Sequence, residues 1–278
     1  MKKYLLLPLM CLSLFSCVQN NTTNNAKLII GLECDYKPFN WSEFNDTEFN
    51  EKVSNKSNLY CDGYDVQIAK KLGEYLDMEV QFMQIGWDSL ISDLQLGTIN
   101  AVIAGMTDTP ERRETIDFTN EYYRSELVLV TSKTVADNYS TVLNEEEFSS
   151  LINGKVVVSQ YSTVTNSVID IFEEKYGAIH ANPVDTFGLA AIDVSNNSAF
   201  AMTAELPVAQ SIVSSFDDLG IIHIDQSILG ETQAELGVSI GIKKGDTEFC
   251  NKLNEALATI TNEERVSIMA AAIERSSN

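Results

Sequence analysis

From Lys27 onward the apolar positions fall into short blocks whose spacing switches between strand and helix periods. KLIIGLE (27–33) is apolar enough for a buried strand. In YDVQIAKKLGEYL (64–76), Val66, Ile68, Ala69, Leu72 and Leu76 gather near one helical face. EVQFMQI (79–85) alternates as a strand does, WDSLISDLQLG (87–97) returns to helical spacing, and AVIAG (101–105) is an apolar strand. A β-α-β-α-β run of this kind predicts a parallel sheet covered by helices.

The pattern then begins again. KVVVSQ (155–160) reads as a strand, and STVTNSVIDIFEEKYG (162–177) as a helix with Ser162 as N-cap and Gly177 as its stop. TFGLAAIDV (186–194) is helical, AFAMTA (199–204) a strand, and Pro207 to Phe216 helical. Two extended pieces, SELVLVTS (125–132) and LGVSIGIKK (236–244), lack helices of their own. The C-terminus is helical, with Thr261 and Glu264 spaced as a capping box. The economical architecture is α/β in two lobes, each a mainly parallel sheet flanked by helices, joined by two crossover segments. The expected boundaries are 27–125 for the first part of lobe 1, 126–238 for lobe 2 and 239–278 for the return to lobe 1.

Composition narrows the partners. The chain has 278 residues, 44% of them hydrophobic, with 40 acidic against 19 basic and a formal net charge of −21. Such a surface repels phosphate backbones and anionic membranes alike, so no nucleic-acid partner is expected. Attachment to a membrane would have to be lipophilic. MKKYLLLPLMCLSLFSC supplies a basic start and an apolar run too short to span a bilayer, as in a signal peptide over 1–16. It ends in Leu14-Phe15-Ser16-Cys17, which resembles a bacterial lipobox with Phe15 where a smaller residue is usual. Cys17 is therefore the expected lipidation site, and VQNNTTNNA behind it a polar tether through residue 26. Cys34 and Cys61 flank a polar segment and are the natural disulfide pair in an oxidising compartment, two free thiols being the alternative. Cys250 falls in a helical pattern, as a small buried residue would.

Several chemistries lack their residues. There is no Gly-rich phosphate loop, and His180 and His223 stand apart with no cysteine at metal-ligand spacing. No metal or cofactor is expected. GVSIG (237–241) matches a nucleophile elbow, but Ser239 sits inside a strand pattern and no histidine follows residue 223.

AGMTDTPERRETIDF (104–118) is more informative. Thr109 suits an N-cap, Pro110 the first helical position and Glu111 the first turn. A strand end and a helix start thus coincide, where parallel α/β sheets place ligands. Either Arg112 or Arg113 would clamp a carboxylate there. Read alone, the segment equally suits two solvated charges paired with Glu111 or Glu114.

An ordered set of segments resolves the choice. IGLECDYKPFNW (30–41), DGYDVQIAKKLGE (62–74), GWDSLISDLQLGTINAVIAGMTDTPERRETIDFT (86–119), SQYSTVTNSV (159–168) and AELPVA (204–209) occur in sequence. The chain so resembles the extracytoplasmic solute-binding proteins, family 3, of polar amino-acid ABC transporters, in lipoprotein form, over residues 27–270. The resemblance implies that Arg112, and not Arg113, holds a ligand α-carboxylate, with Gly105 and Thr107 at the same head group. It implies that Ser162 and Thr163 add donors from lobe 2, although Tyr161 stands where the family often has Gly. Glu205 aligns best with the acid that meets the α-ammonium, Thr203 being the alternative. Tyr36 and Trp87 match an aromatic pair around the ligand side chain, and Glu33 an acid that reaches its polar end. Together these lean toward a cationic or polar side chain. The segment between Trp41 and Tyr60 is longer than the family pattern and is expected beside the cleft.

The function so implied is capture of a free amino acid by hinge closure and delivery to an ABC transporter permease, by a monomer, without catalysis. A dehydratase-like enzyme of the same fold and a ligand-sensing ectodomain are the alternatives. The implied location is extracytoplasmic, anchored by lipid to the bacterial cell membrane.

Overall fold

A computed structural model describes residues 26–277. The signal peptide, Cys17 and nearly all of the tether lie outside the described residues. The fold is mixed α/β and built on two five-stranded sheets of the same design. In the first, Lys27–Leu32 lies between Glu79–Gln84 and Ala101–Val102, parallel to both. Gly237–Lys243 and Ile116–Arg124 complete it in antiparallel sense. In the second, Val156–Val158 lies parallel to Ile179–His180 and Ala201–Glu205. Leu127–Ser132 and Leu219–His223 complete that sheet, again antiparallel.

The two extended pieces without helices are these antiparallel members. Each ends or begins at a crossover: only residues 125–126 separate the 116–124 strand of one sheet from the 127–132 strand of the other. The chain returns through 224–236 to the 237–243 strand. Buried runs such as LVLVT in the 127–132 strand follow from burial on both faces, which removes the polar alternation of an exposed strand.

Helix 64–76 forms as its spacing predicts, with Val66, Ile68, Ala69 and Leu72 buried. Its start is set by Gly63, at φ 138°, where an added Cβ would lie 2.1 Å from the Phe39 carbonyl oxygen. The chain therefore enters the helix pressed against the 38–40 turn. Helix 164–176 corrects one expectation: Thr163, not Ser162, is the N-cap, its hydroxyl accepting from the Asn166 amide at 3.2 Å. Ser162 instead takes a left-handed conformation, φ 57°, one residue earlier.

The polar 42–60 segment is structured. It continues the 35–43 hairpin into a small antiparallel sheet ordered 35–36, 40–43, 60–62 and 51–52. The expected Cys34–Cys61 disulfide is not formed; both residues are buried free thiols. Strand 40–43 runs between them, Trp41 pairing with Asp35 and Ser42 with Cys61. The sulfurs still meet: burial first, then a hydrogen bond with Cys34, pushes the Cys61 thiol well up.

The C-terminal helix Asn262–Ser276 is tied to this region by Arg275, which grips Asp62 with two hydrogen bonds of 2.8 and 2.9 Å. Its guanidinium also lies 4.6 Å from the Phe49 ring centre. Asp62 is almost wholly buried, so removing the cation would leave a carboxylate unpaired. Arg275→Ala is expected to destabilise the fold by about 2 kcal/mol, lowering Tm by roughly 5 °C in a thermal melt.

Candidate functional site

The C-terminal ends of the parallel strands of both sheets converge on one narrow, largely closed cavity. Lobe 1 contributes Glu33, Tyr36, Trp87, Gly105, Thr107 and Arg112; lobe 2 contributes Gln160, Thr163, Val164, Phe187 and Glu205. Every residue the sequence assigned to ligand contact lines it except Ser162.

Arg112 is positioned by a single helical turn, Pro110–Arg113, capped by the Thr109 hydroxyl, which accepts from the Arg112 amide at 3.2 Å. One turn carries little macrodipole, so the positive charge here belongs to the guanidinium. Arg112 Nη1 donates to the Thr107 carbonyl at 2.6 Å and Nη2 to the Ser162 carbonyl at 2.9 Å. The second bond crosses between lobes. Trp87 lies under the same guanidinium, 5.3 Å from its ring centre, and its Nε1–H donates to the Ser162 carbonyl at 3.3 Å. Ser162, expected to add a donor from lobe 2, here accepts through its backbone oxygen from both Arg112 and Trp87. Arg113 is turned away and forms a bidentate pair with Asp108 at 2.6 and 2.5 Å.

Glu205 is buried at the end of strand 201–205, and the Tyr36 hydroxyl donates to its Oε2 at 2.8 Å. Burial pushes its carboxyl above the ordinary range, against the lowering effect of hydrogen bonds. The alternative, Thr203, points into lobe 2, its hydroxyl donating to the Thr165 carbonyl at 2.8 Å, and does not line the cavity. Tyr36 departs from the expected sandwich with Trp87. Its ring stacks between Phe39, at 5.0 Å and 14°, and Phe187, at 5.2 Å and 21°.

Glu33 is pushed up to about 7, first by burial and then by Asp35 and Asp88, while a hydrogen bond with Gln160 opposes the rise. Glu33 alone of the three lines the cavity, and its buried carboxyl, with two acids near it, would be neutralised by a cation.

Gln160, Val164 and Phe187 were missed in the sequence. Gln160 follows the 156–158 strand directly, so the rule that ligands sit at strand C-termini was the available signal. Phe187 opens helix 187–195 behind the Thr186 cap, where one aromatic looks like core. Among the described residues, no group of three or more His, Cys, Asp or Glu side chains is placed to hold a metal. No described helix is long and apolar enough to cross a membrane.

The family model for bacterial extracellular solute-binding proteins, family 3, matches residues 28–271. Among similar proteins, the arginine-binding extracellular protein ArtP of Bacillus subtilis is 28% identical over 264 residues, covering 92% of each chain. The ABC transporter arginine-binding protein 1 of Escherichia coli is 25% identical over 234 residues, covering 84% of this chain and 85% of its own. The amino acid ABC transporter substrate-binding protein AbpA of Streptococcus pneumoniae, solved bound to L-arginine, shares the fold with a TM-score of 0.72. It is 20% identical, with 91% of this chain and 97% of that one covered. The chain belongs to the bacterial extracellular solute-binding proteins of family 3.

Proposed function

We propose that this family 3 solute-binding protein captures a free amino acid with a cationic side chain, arginine foremost, and delivers it to an ABC transporter permease. The observation that carries this reading is the cavity's charge arrangement. A guanidinium, Arg112, a buried acid, Glu205, and a second acid, Glu33, share one small aromatic-lined space. The first two answer the carboxylate and ammonium of a zwitterion; the third answers a cation on its side chain. The names of the similar proteins, two arginine-binding proteins and one bound to L-arginine, agree with that choice.

In this mechanism lobe 1 engages the ligand through Arg112, Thr107, Gly105 and the Trp87 ring, while the Tyr36 hydroxyl holds Glu205 in place. Lobe 2 closes about the two crossovers, residues 125–126 and the return of the chain near 237, bringing Thr163, Gln160, Phe187 and Glu205. Closure desolvates every charge, so each must find its opposite or binding fails. Such hinge closure in periplasmic binding proteins is a general case. We assign 27–125 and 239–278 to lobe 1, 126–238 to lobe 2, and Cys17 to a lipid anchor in an extracytoplasmic setting. Stable anchoring there takes two or more acyl chains.

A neutral polar ligand such as glutamine is the second reading, because Gln160 and a Glu33 titrating near 7 also suit an amide. A dehydratase-like enzyme of the same fold would reveal itself by turnover when candidate substrates are incubated with the protein. The test is a thermal-shift panel of the twenty amino acids, followed by calorimetry. At 100 times Kd a ligand stabilises by about 2.7 kcal/mol, so arginine is expected to raise Tm by roughly 5–10 °C, above lysine and glutamine. No shift with any amino acid overturns the reading.

A further inference from the structure

We propose that Asp65, Asn40 and Tyr122 form a buried positioning chain that locks two walls of the lobe-1 cavity, Gly105 and the Glu33–Tyr36 turn, into one register. None of the three lines the cavity, and all are buried. They act through what they hold.

The chain is continuous in hydrogen bonds. The Cys34 amide donates to Asn40 Oδ1 at 2.7 Å, and Asn40 Nδ2 donates to Asp65 Oδ2 at 2.8 Å. From the other side, the Gly105 amide donates to the Tyr122 oxygen at 3.0 Å, and the Tyr122 hydroxyl donates to Asp65 Oδ1 at 2.6 Å. Cys34 sits between Glu33 and Tyr36, and Gly105 is itself a wall. The walls touch: a Cβ on Gly105, at φ 60°, would lie 2.5 Å from Tyr36 Cε1. A displacement of either wall therefore moves the other.

Donor and acceptor identity gives the chain a direction. Backbone amides can only donate, so both ends feed protons inward and the centre must accept on two oxygens. An ionised carboxylate does so, and a neutral amide cannot. Asp65 stands in the first turn of helix 64–76, where negative charge is favoured. Its amide donates to the Phe39 carbonyl at 2.8 Å, fixing the helix to the turn that carries Asn40. Burial raises its carboxyl to about 7, while the bonds from Tyr122, Asn40 and Gly105 oppose that rise.

This polarity yields a test that a merely structural residue would not pass. In Asp65→Asn the new amide can accept from Tyr122, but its NH2 then faces the NH2 of Asn40. Turning Asn40 over satisfies that pair and leaves the Cys34 amide facing a donor. One buried donor is orphaned either way. The double swap Asn40→Asp with Asp65→Asn repairs it: Asp at 40 accepts from Cys34 and from Asn at 65, whose oxygen accepts from Tyr122.

The experiment compares wild type, Asp65→Asn, the double swap and Tyr122→Phe. It reads L-arginine affinity by calorimetry, and hydrogen–deuterium exchange at the Cys34 and Gly105 amides. Asp65→Asn is expected to weaken binding about tenfold and to speed exchange at the Cys34 amide, with both restored in the swap. Tyr122→Phe is expected to speed exchange at Gly105. Wild-type affinity and exchange in Asp65→Asn, or a swap no better than the single variant, would overturn the proposal. Should Asp65→Asn fail to fold, a folded swap supports the chain; if neither folds, unchanged Gly105 exchange in Tyr122→Phe refutes it and faster exchange supports it. The affinity arm rests on the amino-acid-binding reading, and the exchange arm does not. A wild type that ignores every amino acid would sink that reading while exchange still decides on the chain.

Discussion

Arg112→Ala is expected to abolish amino-acid binding, by about a thousandfold, in a protein that melts within a few degrees of wild type. Truncating one partner of a desolvated charge pair costs about 2–5 kcal/mol, and each 1.4 kcal/mol is a factor of ten in Kd. The upper part of that range applies because the cavity is small and the ligand carboxylate would be buried with no other lining cation. Stability should change little. The Arg112 side chain is only half buried, and its helical turn is held by the Thr109 cap and Pro110, which survive the change. The interlobe bond to the Ser162 carbonyl is lost, so closure weakens as well. Arg112→Lys keeps the charge without the planar fork and should fall between the two. Calorimetry with arginine, paired with a thermal melt, checks this; near-normal affinity in the alanine variant would refute the site.

Glu33→Gln should invert the specificity. Loss of the acid is expected to lower arginine affinity about thirtyfold while glutamine affinity holds, because Gln160 and the new amide still offer hydrogen bonds. The pH dependence separates this from simple damage. Glu33 titrates near 7 instead of 4.5, raised chiefly by burial, so its proton is favoured in the folded protein. That contribution to stability is fully present below about 4.5 and is lost as pH rises through about 7. A cationic ligand reverses the preference, since it favours the ionised acid. Arginine affinity should therefore climb between pH 5 and about 7 and then level off, with proton release on binding. In Glu33→Gln the climb should be shallower but not absent, because burial raises Glu205 as well. Titrations across this range in two buffers of different ionisation enthalpy count the protons. A slope equal in the two proteins would remove Glu33 from the site.

The 42–60 segment and its thiols show how far spacing alone can be read. Polarity and length marked only an insert flanked by two cysteines, yet the segment forms an antiparallel sheet with strand 40–43 between them. Sequence separation said that the cysteines flank the insert; only the tertiary structure brought their side chains together.

Helix and strand periods repeat within a few residues, so the sequence by itself determined the two α/β rounds and the strand ends that face the cleft. The choice of Arg112 over Arg113 was legible only through the family resemblance, since the local turn Pro110–Arg113 suited either arginine. Tertiary structure alone decided that Phe187 covers Tyr36, that Ser162 works through its carbonyl and that Asp65 reaches both walls through Tyr122 and Asn40. Those contacts join residues from distant parts of the chain, and they depend on lobe closure and sheet register, for which no local spacing carries a signal.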